Sequence, residues 1–263
     1  MDKITKSQVK LVRSLQQKKF RDETGLFVAE GEKCVSELSK AFELVYRIES
    51  TEYRPATPDR TQTDILLASQ TEIEQMSGLK TPQGVIGVFK KRTQTDILFA
   101  DDLILALDGI QDPGNLGTII RTADWFGVKT IICSKDTADC YNPKVVQATM
   151  GSLARVSIHY VDLPKWLEEY RAQTVSLTEH RPIYGTLLEG KNMYEVLEEQ
   201  IKNEKLKIKN SIIIMGNEGN GISEAVRKYI THPILIPPYN NEEAPESLNV
   251  AIATAIVLAE FRR

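Results

Sequence analysis

The sequence predicts an α/β protein in which an open parallel sheet follows a smaller α/β unit. Three observations point there. From residue 103 onward the chain repeats an apolar run of strand length, a glycine turn and a helix with one apolar face, the alternation a parallel sheet requires. Ahead of it, shorter strand and helix signals alternate and give out at a polar stretch, Lys90 to Asp96. The 263 residues, 41% apolar and 26% charged, suffice for a sizeable core and fit one large or two modest domains. The expected boundaries are 1–92 and 102–263, with a linker around 90–102.

The first 21 residues hold seven cations (Lys3, Lys6, Lys10, Arg13, Lys18, Lys19, Arg21) against one acid, Asp2. Ile4, Val9, Leu11, Val12 and Leu15 suggest a short helix among them whose basic outer side is either a solvated face or a phosphate-contacting surface. Strand signals follow at Leu26 to Ala29, Leu44 to Ile48, Ile65 to Ala68 and Val85 to Phe89, with helices expected at Lys33 to Lys40 and Glu72 to Met76. Arg60 to Ala68 recurs almost unchanged as Arg92 to Ala100, but the flanking sequence does not follow that period, so no repeat architecture is implied. In the second unit, strands are expected at Leu103 to Leu107, Val128 to Cys133, Ile212 to Met215 and Ile234 to Ile236. Leu116, Ile119, Ile120, Ala123 and Phe126 share a helical face that Gly127 ends, and residues 248–262 form an apolar closing helix.

Composition narrows the function. A net charge of −3 excludes nucleic-acid binding by bulk basicity and leaves room only for a local basic surface. Three scattered cysteines and three histidines, with no CxxC or HxxxH spacing, argue against a metal site or a disulfide framework. The longest apolar stretch, Val250 to Ala259, is too short to span a bilayer, and the N-terminus has no apolar signal core, so a cytoplasmic protein without a membrane partner is expected.

Three stretches carry chemical information. They are Asp108-Gly-Ile-Gln-Asp-Pro-Gly-Asn115-Leu-Gly117-Thr-Ile-Ile-Arg121-Thr-Ala123-Asp-Trp-Phe126-Gly127, then Ile214-Met-Gly216-Asn217-Glu218-Gly219-Asn-Gly221, and finally Ile236-Pro237 through Glu246-Ser247-Leu248-Asn249-Val250. Each is a strand end, a backbone-exposing turn and a helix start, and loops at the carboxyl ends of parallel strands are where α/β folds bind ligands. By itself the GxxGxG turn could hold a phosphate or simply make a tight connection, and its spacing does not match the dinucleotide GxGxxG. Taken singly, Ser247 could cap the final helix, Asn115 could cap the preceding one, and Glu218 could be a surface acid.

Together and in order, the three stretches resemble the SpoU/TrmH family of RNA ribose 2′-O-methyltransferases, within the SPOUT superfamily. The resemblance covers most of the chain. It extends to Asn142-Pro-Lys-Val-Val-Gln-Ala-Thr-Met-Gly151-Ser152 between the first two stretches, and to Phe27-Val28-Ala29-Glu30-Gly31 and Thr81-Pro82-Gln83-Gly84 upstream. One departure is the stretch from Tyr239 to Pro245, which is longer than the family's usual connection and lacks its glycine.

The resemblance implies a C-terminal trefoil knot in the parallel sheet, an N-terminal RNA substrate-binding domain, and a homodimer with the cofactor pocket near the subunit interface. It implies S-adenosylmethionine as cofactor, with Gly216, Asn217, Ile236 and Leu248 at the adenosine pocket. It assigns the catalytic arginine to Arg121, with Asn115, Glu218, Ser247 and Asn249 completing the polar set. RNA is the implied partner, ribosomal RNA rather than tRNA given the dedicated N-terminal domain, with Lys18, Lys19 and Arg21 expected at its phosphates. Two other classes bear on the same residues. A non-catalytic RNA-binding protein with a degenerate transferase domain is opposed by the full polar set, and a nucleotide-dependent oxidoreductase by the glycine spacing.

Overall fold

The computed structural model describes residues 2–53, 65–93, 103–174, 182–202, 211–239 and 247–263. The linker beyond residue 93, residues 60–64 and 94–100 of the duplicated segments, and residues 240–246 of the unusual loop lie outside the described residues. The chain forms two compact units: residues 1–94 with 139–155, and residues 95–138 with 156–263.

The first unit comprises β1 (Asp2–Lys3), α1 (Lys6–Ser14), α2 (Lys18–Thr24), β2 (Leu26–Glu30), α3 (Glu32–Ser39), β3 (Leu44–Ser50), β4 (Ile65–Ala68), α4 (Gln70–Met76) and β5 (Val85–Lys90). Its strands make a mixed sheet in the order β1-β4-β3-β5-β2. Capping boxes start two of the helices: Thr5 with Gln8 opens α1, and Ser69 with Glu72 opens α4. Val12, Leu15, Ile48, Ile73, Met76 and Val88 close the core between these helices and the sheet.

Where the sequence suggested one basic helix, the structure has two, and the break between them explains Arg21. The guanidinium donates to the carbonyls of Leu15 and Gln16 at 2.9 and 3.0 Å, acceptors left unpaired where α1 ends. It also donates to the Asp139 carboxylate at 2.7 and 3.1 Å. At 1% exposure it cannot contact a phosphate, so its expected role at RNA is corrected to a structural one.

The segment 139–155 is a second difference, because it packs with the first unit although it lies far along the second. Besides Asp139 on Arg21, Tyr141 packs its ring 4.7 Å from that of Phe27, and Arg155 pairs with Glu37 at 2.7 Å. Its partners are long-range, which sequence order does not reveal.

The second unit contains β6 (Leu103–Asp108), α5 (Pro113–Trp125) and β7 (Thr130–Ser134). After α6 (Pro143–Thr149), which belongs to the first unit, come β8 (Ser157–Val161), α7 (Leu163–Thr174), β9 (Ile183–Asn192) and α8 (Met193–Lys202). β10 (Ser211–Gly216), α9 (Glu224–Arg227), β11 (His232–Leu235) and α10 (Val250–Phe261) complete it. The sheet order is β11-β9-β10-β6-β7-β8, and each neighbouring pair is parallel.

The two central strands read Leu-Ile-Leu-Ala-Leu-Asp and Ser-Ile-Ile-Ile-Met-Gly, and every residue in them is buried, as a sheet covered on both faces demands. The chain moves outward from β6 through β7 to β8, then crosses to β9 and inserts β10 beside β6. The carboxyl ends of β6 and β10 therefore meet where the strand order reverses, the position at which open α/β sheets bind ligands.

Candidate functional site

Two of the three sequence stretches leave the sheet at that reversal. β6 ends at Asp108, and Gly109 turns the chain with φ 73°, a left-handed conformation that glycine adopts without penalty. Asp112 caps α5, its carboxylate accepting from the Asn115 amide at 2.8 Å, and Pro113 occupies the first turn, where no N–H is needed. Asn115 is thus inside the first turn rather than capping it, and its side chain is left for other work.

β10 ends at Gly216, where a side chain would place Cβ 2.3 Å from the Gly221 carbonyl carbon and 2.4 Å from the Ile222 nitrogen. The turn closes on itself through paired backbone hydrogen bonds between Asn217 and Gly221, the latter at φ 66°. Asn217 organises the interior: its Oδ1 accepts from the Gly219 and Asn220 amides at 2.9 and 3.0 Å, and its Nδ2 donates to the Gly109 carbonyl at 2.6 Å. Asp108, only 8% exposed, accepts from the Ser223 amide at 2.7 Å. The loop after β10 is therefore fastened at two points to the loop after β6.

The third stretch joins through Asn249. Its Oδ1 caps α10 by accepting from the Ala251 and Ile252 amides, and its Nδ2 donates to Asn115 Oδ1 at 2.9 Å. Asn115 Nδ2 in turn donates to Glu218 Oε1 at 2.9 Å. Hydrogen-bond chemistry fixes the direction of this chain. An ionised carboxylate only accepts, so Glu218 must face the Asn115 NH2; the Asn115 carbonyl then faces Asn249, whose own carbonyl is left for the helix amides. Three segments separated by more than 100 residues, Asn115 to Glu218 and to Asn249, are connected through one amide.

Of the expected site residues, Asn115, Asn217, Glu218 and Asn249 are brought together this way, with Gly216 in the same loop. Ile236 follows β11 directly and is half-buried, while Leu248 is 49% exposed one residue before the α10 cap. Arg121 lies on the exposed side of α5, and Ser247 is exposed beside the segment that lies outside the described residues; neither side chain has a hydrogen-bond or ion-pair partner among the described residues. Lys18 and Lys19, on α2 of the first unit, are exposed and pair with Asp22 at 2.5 Å and Glu23 at 3.8 Å.

Two contributors were missed from sequence. Asp108 opens the first stretch but is not among the expected site residues, although a carboxylate at the end of an apolar run is itself a signal. Gly190, in β9, lies so close to the main chain of Ile234 that a Cβ would fall 2.4 Å from its carbonyl carbon, which places β9 against the strand leading to Ile236. Among the described residues no cluster of His, Cys, Asp and Glu could hold a metal ion.

Comparison with known proteins bears on this arrangement. The SpoU rRNA Methylase family matches residues 102–259, and an MRM3-like substrate binding domain matches residues 6–87. The chain is 30% identical over 255 residues to the 23S rRNA (guanosine(2553)-2'-O)-methyltransferase RlmP of Bacillus subtilis, covering 97% of this chain and 95% of that protein. A solved structure from Porphyromonas gingivalis, assigned to the TrmH family of RNA methyltransferases, superposes with a TM-score of 0.83 at 34% identity, covering 98% of each chain. An AdoMet-bound rRNA methyltransferase from Sinorhizobium meliloti gives 0.79 at 30% identity, covering 100% of this chain and 96% of that one. With the family's match spanning well over half its length, this chain belongs to the SpoU rRNA methylase family.

Proposed function

We propose that this protein transfers a methyl group from S-adenosylmethionine to a ribose 2′-hydroxyl of ribosomal RNA. The observation that carries the reading is the Glu218–Asn115–Asn249 chain, which ties all three family stretches together at the sheet's reversal point. The relative from Bacillus subtilis, named for methylating a guanosine 2′-oxygen in 23S rRNA, supports the substrate class.

The residues around Gly216 suit an adenosine. A loop packed backbone to backbone offers main-chain hydrogen-bonding groups, and the half-exposed Leu248 and partly buried Ile236 are assigned the apolar contact, which an adenine needs in combination. When bound, S-adenosylmethionine supplies a sulfonium methyl whose C–S bond breaks as the new C–O bond forms.

The chain's own residues must do the rest. A ribose hydroxyl is a poor nucleophile at neutral pH, so its proton must leave while the oxygen is held in line. Arg121 is assigned to the phosphate beside that ribose and to the negative charge growing on the oxygen. A guanidinium stays protonated in proteins, so it does not take the proton itself; the proton passes to water or another acceptor. Asn115, Glu218 and Asn249 hold the surrounding loops in register, and Ser247 offers an exposed hydroxyl at the approach to α10.

The protein acts as a homodimer in this reading. Trp125 on α5 is 84% exposed, and α10 carries no charged residue from Val250 to Ala259 although part of it faces solvent. A helix apolar on nearly all sides normally has a partner on each of them. A cytoplasmic location agrees with three buried cysteines that form no disulfide. Among the described residues no helix is long and apolar enough to cross a membrane.

Mapping ribose methylation across total RNA, with and without the gene, tests the proposal. One ribosomal nucleotide should lose its 2′-O-methyl group in the deletion strain and regain it on complementation. An unchanged ribosomal map contradicts the reading.

A further inference from the structure

Eight cations of the first unit stand in ion pairs. Lys18, Lys19, Arg21, Lys40, Arg47, Lys90, Lys91 and Arg155 each face a carboxylate within 4 Å. Lys3 is spoken for more loosely, since its charge helps hold the Glu72 carboxyl below its ordinary range after the Ser69 hydrogen bonds have done most of that work.

α1 is different. Its sequence, Lys-Ser-Gln-Val-Lys-Leu-Val-Arg-Ser, contains no acid, and none of its charged side chains has an ion-pair or hydrogen-bond partner among the described residues. Lys6, Lys10 and Arg13 stand at i, i+4 and i+7, so at about 100° per residue they occupy one stripe roughly 60° wide. Val12 and the following Leu15, both fully buried, lie on the opposite side, where α1 packs against α4. The stripe is about 10 Å long at 1.5 Å per residue, and all three charged residues are exposed. In a chain of net charge −3, an uncompensated row of this kind is a local exception.

We infer that this outer side of α1, through Lys6, Lys10 and Arg13, is the surface on which the N-terminal unit grips RNA phosphates, in place of the α2 cluster that the sequence suggested. The inference rests on the proposal that the substrate is RNA. Three cations in a row, spaced by helical turns, match a strand that presents one negative charge per nucleotide and carries no requirement for base identity. The α2 lysines would first have to release Asp22 and Glu23, and Arg21 is buried. α1 can engage phosphate without breaking any existing pair.

The test is the salt dependence of binding to deproteinised ribosomal RNA from a strain lacking this gene. It compares the full-length protein with K6Q/K10Q/R13Q and with K18Q/K19Q. Glutamine keeps helix propensity, and an unchanged melting temperature confirms that the substitutions act at the surface. Three phosphate contacts correspond to about 2.1–2.7 units of slope in log affinity against log salt. Between 50 and 200 mM salt the wild type should therefore lose roughly 20- to 40-fold more affinity than the triple variant does. K18Q/K19Q should shed less slope than the triple variant, and S-adenosylmethionine binding should be the same in all three proteins. A triple variant with the wild-type slope, or a larger change in K18Q/K19Q, overturns the assignment to α1 while leaving RNA as substrate. A wild type that binds no RNA overturns the substrate reading as well.

Discussion

Asn249 donates to Asn115 at 2.9 Å across 134 residues of sequence, and this bond fastens the start of the last helix to the start of α5. Because the same Asn249 side chain also caps α10, stability and site geometry converge on one amide. Asn249→Asp separates them. Aspartate caps as well as asparagine, so the unfolding midpoint should fall little, but it cannot donate to the Asn115 carbonyl. Methyl transfer should drop at least tenfold. An N249D protein with wild-type turnover would show that the link to Asn115 is incidental. In the pair Asn115→Ala and Asn249→Ala, a double-mutant cycle should return a coupling of about 0.5–3 kcal/mol, as for other directly bonded neighbours.

Gly216 has no room for a side chain. Its Cβ would meet main-chain atoms of Gly221 and Ile222, which cannot swing aside as a rotamer can. Gly216→Val should abolish S-adenosylmethionine binding in calorimetry while the protein still folds, with stability lowered by about 1–3 kcal/mol. Unaltered affinity in a folded G216V protein would remove the cofactor pocket from this loop.

Arg21 should matter to the fold. Arg21→Ala leaves Asp139 without its partner and the Leu15 and Gln16 carbonyls without donors, and breaking a buried pair from one side costs about 3–5 kcal/mol. Denaturant unfolding followed by a probe in the first unit measures this. A loss below about 1 kcal/mol would place the pair among weak surface bridges.

His232 gives a pH prediction. Burial, helped by the charge of Lys191, lowers its pKa from the ordinary 6.5, so the folded protein resists protonating it. As pH falls below 6.5 the unfolded chain takes up the proton first, and stability is lost down to the folded value; above 6.5 this contribution is present in full. Urea midpoints between pH 7.5 and 5.5 should therefore fall less steeply in His232→Gln than in the wild type. Equal slopes would mean that His232 titrates alike in both states.

Much of this was legible in the sequence where strands are buried on both faces. Runs such as Leu103 to Leu107 and Ile212 to Met215 have few readings besides a central parallel strand, and glycines at 109, 127 and 216 mark real turns or close approaches. β8 and β9 escaped notice for physical reasons. β8 lies at the sheet edge and reads Ser-Ile-His-Tyr-Val, with little apolar run to detect, and β9 is interrupted by Gly185 and Gly190, which serve packing against Ile230 and Ile234. Among the site residues, Asn115, Glu218 and Asn249 were named by family resemblance, but their hydrogen-bonded order depends on distances between chain segments. Arg21 failed as a phosphate contact for the same reason: its carboxylate partner lies 118 residues away.

Arg121 carries the central claim. If its charge steadies the developing ribose oxyanion, Arg121→Ala should slow single-turnover methylation of ribosomal RNA by about a hundredfold to a thousandfold, the usual cost of losing one such contact, roughly 2.7–4 kcal/mol. S-adenosylmethionine affinity should not change. Arg121→Lys should recover part of the rate at every pH, because a point charge survives although the bidentate fork is lost. Single-turnover transfer of labelled methyl from S-adenosylmethionine, measured for the three proteins across pH, is the direct test. The account predicts wild type above Lys above Ala, with the label on a ribose 2′-oxygen. Equal rates for wild type and Arg121→Ala, or label found on a base, would contradict it.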